Sequence, residues 1–141
     1  MASISAQDFC AAVYCALASH DAFPVVAQPR IAFTAQTTVR GVTREYGIEF
    51  LGVSSLRWAP PLPPGEAPYP AGDKIELSVI ELTGRPGAWR VWSNPWYTRE
   101  IELECATVRL NGADVTGQGR FFQDDLPKSE PVVPPFVPGA A

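Results

Sequence analysis

Between Arg99 and Cys105, apolar and acidic side chains take turns. Ile101, Leu103 and Cys105 fall on one side of an extended chain, and Glu100, Glu102 and Glu104 on the other. Successive side chains of a strand face opposite ways, so the alternation predicts a strand with one dry and one wet face. That strand is predicted over Thr98–Leu110. It ends at Asn111-Gly112, a pair favoured in tight hairpins because both central residues of a type I′ turn need positive φ. Ala113–Thr116 then opens the returning strand.

The same two-residue period runs upstream. Ile31, Phe33, Ala35 and Val39 share a face of a strand predicted over Ile31–Val39, and Arg40–Thr43 makes a turn. A long second strand is predicted over Arg44–Trp58, where Tyr46, Ile48, Phe50, Leu56 and Trp58 have one parity. Gly47 and Gly52 interrupt its other face, and glycine inside a strand marks a bend, a bulge or a close backbone approach. In Lys74–Leu82, Ile75, Leu77 and Val79 share a parity, but Ile80 and Leu82 take the other. That slip predicts a bulge near Val79 or a strand covered on both faces. Thr83–Gly87 is a turn. Ala88–Ser93 is a strand pairing back, with Trp89 and Val91 facing one way and Arg90 and Trp92 the other. Arg120-Phe121-Phe122 closes the strand series.

The N-terminus has a different period. In Ser3–Ser19, the residues Phe9, Cys10, Val13, Tyr14 and Leu17 form a helical stripe, and alanines fill many of the other positions. Ser5 is placed to cap this helix and Asp8 to favour its positive end. Phe9–Ala18 has the apolar look of a signal core. The stretch before it has no Lys or Arg and carries Asp8, so the segment is read as a helix. The expected fold class is therefore α+β: an N-terminal helix on a curled, mainly antiparallel sheet of six to seven strands, half-barrel or barrel-like.

Two segments lack any period. Ala59–Asp73 holds six prolines and favours a stiff polyproline II excursion, with Tyr69 as the residue of interest. Lys128–Ala141 is again proline-rich and predicts an extended tail. The expected organisation is one domain over 1–126 and a tail over 127–141.

Charge and candidate chemistry narrow the function classes. A net charge of −4 and a pI of about 4.9 argue against nucleic acid and anionic membranes, which need clustered Lys and Arg. No apolar run reaches the roughly 20 residues that a bilayer-spanning helix needs. The three cysteines (Cys10, Cys15 and Cys105) show no C-x-x-C spacing and are read as reduced thiols of a cytoplasmic protein. His20, the single histidine, stands next to Asp21 and near two thiols, but no nucleophile motif accompanies it. No glycine-rich phosphate loop opens a helix. Glu100, Glu102 and Glu104 are expected to form a solvated face opposed by arginines, the alternative being a hard cation held with Asp124-Asp125. No cofactor is expected.

The densest aromatic cluster is Trp89, Trp92, Trp96 and Tyr97. Trp, Tyr and Arg are the types enriched at binding hot spots. The expected function is a non-enzymatic protein-binding module that meets another protein through Arg90, Trp92, Trp96, Tyr97 and Tyr69. In overall character the chain is similar to small acidic immunity proteins that block a toxin partner, a likeness of type with no shared motif. One alternative is a small-ligand or enzymatic domain with an apolar pocket lined by Tyr46, Phe50, Trp58 and Trp89. Another is a structural subunit of a larger assembly.

Overall fold

The computed structural model describes residues 3–67, 69–70, 72–77, 80–95, 99–117, 119–121 and 133–135. The chain is mostly β, with one short helix, and among the described residues the strands form two sheets. The elements run β1 (Ser3–Ser5), α1 (Ala6–Val13), β2 (Leu17–Ser19), β3 (Arg30–Val39), β4 (Val42–Leu51), β5 (Ser55–Ala59) and β6 (Lys74–Glu76). They continue with β7 (Ile80–Arg85), β8 (Ala88–Ser93), β9 (Glu100–Cys105), β10 (Thr107–Leu110), β11 (Ala113–Thr116) and β12 (Gly119–Phe121). One sheet has the order β1-β11-β10-β4-β3-β2-β6, the other β12-β7-β8-β9-β5. Neither closes into a barrel, so the single half-barrel expected from the sequence is corrected to two open sheets.

The correction has a local cause. The predicted strand Arg44–Trp58 changes sheet at Gly52, and the predicted strand Thr98–Leu110 changes sheet at Ala106. The two bends lie side by side. The Ala106 amide donates to the Leu51 carbonyl at 3.0 Å, and the Ser54 amide donates to the Glu104 carbonyl at 2.9 Å. One antiparallel pair therefore continues around the corner, as β4–β10 in one sheet and β5–β9 in the other. Gly52 sits at φ +65, where a side chain is strained, and a Cβ there would stand 3.0 Å from the Ala106 Cβ. Corners made by strands that switch sheets are a known way of joining two layers. β6 and β7 also belong to different sheets; Val79, near which a bulge is expected, lies outside the described residues.

The hairpins follow their turn residues. Arg40-Gly41 and Asn111-Gly112 all have positive φ, as type I′ turns require. Asn111 also ties its turn to β4. Its amide donates to the Gly47 carbonyl at 2.8 Å, and its Oδ1 accepts from the Gly47 amide at 2.8 Å. Its Nδ2 donates to the Pro134 carbonyl at 2.7 Å, so Val133–Pro135 is docked here. Gly47 in mid-strand marks the close approach its sequence position suggested.

The helix is shorter than its apolar stripe implied. Ser5 caps it, accepting from the Asp8 amide at 3.1 Å. It stops after Val13, because Tyr14 is extended (ψ 126) and Cys15 is left-handed (φ 57). Leu17–Ser19 then pairs with both β3 and β6. Sheet hydrogen bonds on both sides outweigh the modest helix propensity of this stretch. As a result Leu17, expected on the buried stripe, is 43% exposed. The helix touches β3 and β11 of one sheet and β7 and β12 of the other, with Phe9, Cys10 and Val13 buried. Ala6 and Ala12 are buried as well, so the small side chains let the backbone lie close.

One contiguous core joins the sheets, the helix and the Pro-rich excursion. Phe50 packs against Phe23 and Phe33, with ring centroids at 6.4 and 6.2 Å. Trp58 donates its indole N–H to the Pro24 carbonyl at 3.2 Å and meets the Tyr69 ring edge-on at 6.2 Å. No helix among the described residues is long and apolar enough to cross a membrane.

Two substitutions test the corner and its neighbour. Gly52→Val should lower unfolding free energy by about 3 kcal/mol in urea titrations, from left-handed strain plus the clash with Ala106. Thr34→Val, at an exposed strand site, should change it by less than about 0.5 kcal/mol. Asn111→Ala should cost about 2 kcal/mol, and Asn111→Gly about 1 kcal/mol, since glycine keeps the turn but loses the side-chain bonds.

Candidate functional site

Two neighbouring features could meet a ligand or partner: the outward face of the five-stranded sheet, and a cleft at its bent end. The face follows from strand alternation. In β8, Trp89, Val91 and Ser93 are buried, which turns Arg90 and Trp92 outward. In β9, Ile101, Leu103 and Cys105 are buried, which turns Glu100, Glu102 and Glu104 outward. The register sets Arg90 opposite Glu104, Trp92 between Glu81 and Glu102, and Arg57 opposite Glu102.

Charge pairs lace this face. Arg90 reaches Glu104 at 3.1 Å and Glu102 at 3.4 Å, and Arg57 reaches Glu102 at 3.2 Å. Glu102 is thus met by arginines on both neighbouring strands and Glu104 by Arg90, while the register sets Ala59 opposite Glu100. Such exposed pairs add little stability, on the order of 0–1 kcal/mol each. Their effect is to hold a patterned charge surface around a half-buried Trp92. The outward side chains of β5, β7, β8 and β9 carry Glu81, Glu100, Glu102 and Glu104 against Arg57, Arg85 and Arg90, so the face mixes both signs of charge.

The cleft, of about 680 Å³, opens where the paired strands bend. Gly52, Ser54 and Ala106 border it from the corner, and Thr83, Gly84, Gly87 and Ala88 from the β7–β8 hairpin. Arg90 and Glu104 carry it onto the charged face, and Trp89 and Cys105 carry it toward the core. The glycines are structural. Gly84 has φ +102, and a Cβ on it would overlap the Ala88 carbonyl oxygen. The Gly87 amide donates to the Ala106 carbonyl at 2.8 Å, pinning the hairpin tip to the corner. The Trp89 indole Nε1 is buried without a hydrogen-bond partner among the described residues.

The residues singled out from sequence separate into three groups. Arg90 and Trp92 stand together on the outward face. Trp96 and Tyr97, like Asp124 and Asp125, lie outside the described residues. Tyr69 is 4% exposed, with its hydroxyl donating to the Pro95 carbonyl at 3.3 Å. It pins the Pro-rich excursion to the core and offers almost no surface to a partner, which corrects its reading as a contact residue. Of the four pocket candidates, Tyr46, Phe50 and Trp58 are buried core side chains, and only Trp89 borders the cleft. Sequence reasoning missed the cleft itself. Its trace was the cluster of glycines at 52, 84 and 87, each beside a bend.

The titratable groups are occupied with structure. His20 lies beyond β2 and not at a helix end as expected. Its Nδ1 accepts from the Gly72 amide at 3.2 Å, and its own amide donates to the Asp73 carbonyl at 3.0 Å. Asp21 accepts from the Ser19 hydroxyl at 2.6 Å, which holds its carboxyl below the usual value. All three cysteines are free. Burial pushes the Cys10 and Cys105 thiols up to about 12, and burial with a hydrogen bond to Glu76 raises Cys15. No group of three His, Cys, Asp or Glu among the described residues could hold a metal ion.

The raised thiols give a pH dependence. Unfolded, these cysteines ionise near 9.0; folded, Cys10 and Cys105 stay protonated to about 12. Their contribution is thus complete below pH 9 and is lost as pH rises from 9 toward 12, because only the unfolded chain releases the protons. Urea midpoints should fall less between pH 8 and 11 in Cys105→Ala than in the parent chain. Iodoacetamide at pH 8 should label Cys15 before either buried thiol.

No family model, no curated protein and no solved structure matches this chain.

Proposed function

We propose that the chain is a non-enzymatic protein-binding module, an interaction or immunity-type protein. Its contact surface is the outward face of the five-stranded sheet. One observation carries the reading: Trp92 stands half-buried on the central strand of that face, between Glu81 and Glu102 of the paired strands and two residues from Arg90 on its own. A large aromatic held on a rigid sheet loses little entropy on binding, and a rim of charges sets orientation and association rate. Trp96 and Tyr97, which follow in sequence, are counted with Trp92 among the proposed contact residues.

The state of the reactive groups supports the non-enzymatic part. Two buried thiols are held protonated, and the His20 Nδ1 lone pair is taken by a backbone amide. A nucleophile needs a thiolate or an adjacent free base, and these groups supply neither.

The test places a photo-crosslinking residue at position 92 of the full chain, or at exposed position 34 on the other sheet, in the native host. One protein should be captured from position 92 and not from position 34. Against that protein, Trp92→Ala should weaken binding at least tenfold (about 1.4 kcal/mol). Arg90→Ala should alter mainly the association rate, and more at low salt. Equal capture from both positions, or none from position 92, would remove the proposal.

A further inference from the structure

We infer that the Pro-rich excursion presents residues 60–64 as a preformed polyproline II ligand for a partner domain whose aromatic-lined groove reads P-x-x-P segments. This contact is separate from the Trp92 face and does not depend on it.

The conformation comes from the residue types. Pro60, Pro61, Pro63 and Pro64 each have φ fixed at about −65°. Pro60, Leu62 and Pro63 also precede a proline, which pushes them to extended backbone. The run ends at Gly65. Its φ of +78, with the Glu66 amide donating to the Pro63 carbonyl at 3.1 Å, makes residues 63–66 a type II turn, in which Pro64 keeps an extended ψ.

Burial along the run follows the same geometry. A polyproline II helix has three residues per turn, so residues three apart share an edge. Pro60 and Pro63 make one edge, Pro61 and Pro64 the second, and Leu62 stands on the third. Leu62 is half-buried and packs against the core, whereas all four prolines are exposed. Two edges therefore face outward, with the dipeptides Pro60-Pro61 and Pro63-Pro64 about 9 Å apart along the axis. That is the display an aromatic-lined groove reads in a P-x-x-P segment.

The segment is also held ready. The excursion leaves the body at Trp58 and returns at Tyr69, and those two rings meet at 6.2 Å. Arg99 donates to the Pro60 and Pro61 carbonyls at 2.7 and 3.2 Å. A carbonyl oxygen has two lone pairs, so each keeps one for a donor from the groove. A loop already ordered loses little entropy when a partner closes on it. Glu66 is the single charged residue in 59–67, so the contact is chiefly apolar and a strongly charged partner surface finds no match there.

The experiment titrates ¹⁵N-labelled full chain with isolated SH3, WW and EVH1 domains, three classes that read such segments. At least one should bind saturably and move the Gly65 and Glu66 amides, while Gly41 and Gly112, in turns of the other sheet, stay in place. Against that domain, Pro61→Ala and Pro63→Ala, one from each dipeptide, should each weaken binding about tenfold. Both positions are exposed, so the rest of the spectrum should keep its pattern. A synthetic peptide of residues 59–66 should compete for the same domain. Three results would overturn the proposal. One is that no domain binds saturably. Another is binding that both proline variants leave unchanged. The third is a bound domain that the peptide does not displace.

Discussion

The paired bend at Gly52 and Ala106 is the constraint on which the rest depends. Two strands that cross between layers separately could each slip in register. Here they cross together, with hydrogen bonds to Leu51 and Glu104 on either side of the bend. The register of β4 with β10 therefore fixes that of β5 with β9. A slip of one residue in either would turn every buried side chain of that strand toward water. Because the corner needs a left-handed residue with no Cβ, one glycine sets the relation of the two sheets. The hairpin tip at Gly87 then closes over the same corner through the Ala106 carbonyl.

The layers are filled from the N-terminal side and from the loop. The helix borrows surface from both sheets, so its eight residues are stable where an isolated helix of that length would not be. Its burial also explains why Cys10 is inert. The Pro-rich excursion returns Tyr69 to Trp58, and Arg99 donates to the Pro60 and Pro61 carbonyls at 2.7 and 3.2 Å. Proline stiffness limits what the loop loses in ordering, and these contacts hold it to the body of the domain. Ser93, buried within β8, donates to the Leu77 carbonyl at 3.1 Å and secures the crossing between β6 and β7.

Much of this was legible in the alternation of side chains. The alternation in Ala88–Ser93 separates Trp89 and Val91 from Arg90 and Trp92 without saying which pair is buried, and the outward row of glutamates in β9 was legible as such. The two Gly-closed hairpins followed from Arg40-Gly41 and Asn111-Gly112. The sheet switch was harder to read. Tyr46, Ile48 and Phe50 keep one parity with Trp58 across Gly52, so the pattern looks like one strand although two sheets share it. At Ala106 the parity does change, from Cys105 to Val108, and that is the signal of a crossing. Period alone cannot separate a bulge from a crossing, because both insert one unpaired position. The fate of Leu17–Ser19 was hidden because its partners in β3 and β6 are distant in sequence. The cleft was hidden for a similar reason: its borders come from three separated turns.

The pairing of Ser3–Ser5 with Asp114–Thr116 is parallel, and the Thr116 hydroxyl donates to the Ile4 carbonyl across 112 positions of sequence. Closing so long a loop is slow compared with forming the local hairpins. During synthesis Ser3–Ser5 emerges well before Asp114–Thr116, so its seat does not yet exist when it appears. The apolar side of the helix must wait in water for β7, β11 and β12. A segment made early is thus placed late, and it needs protection from stray association in the interval.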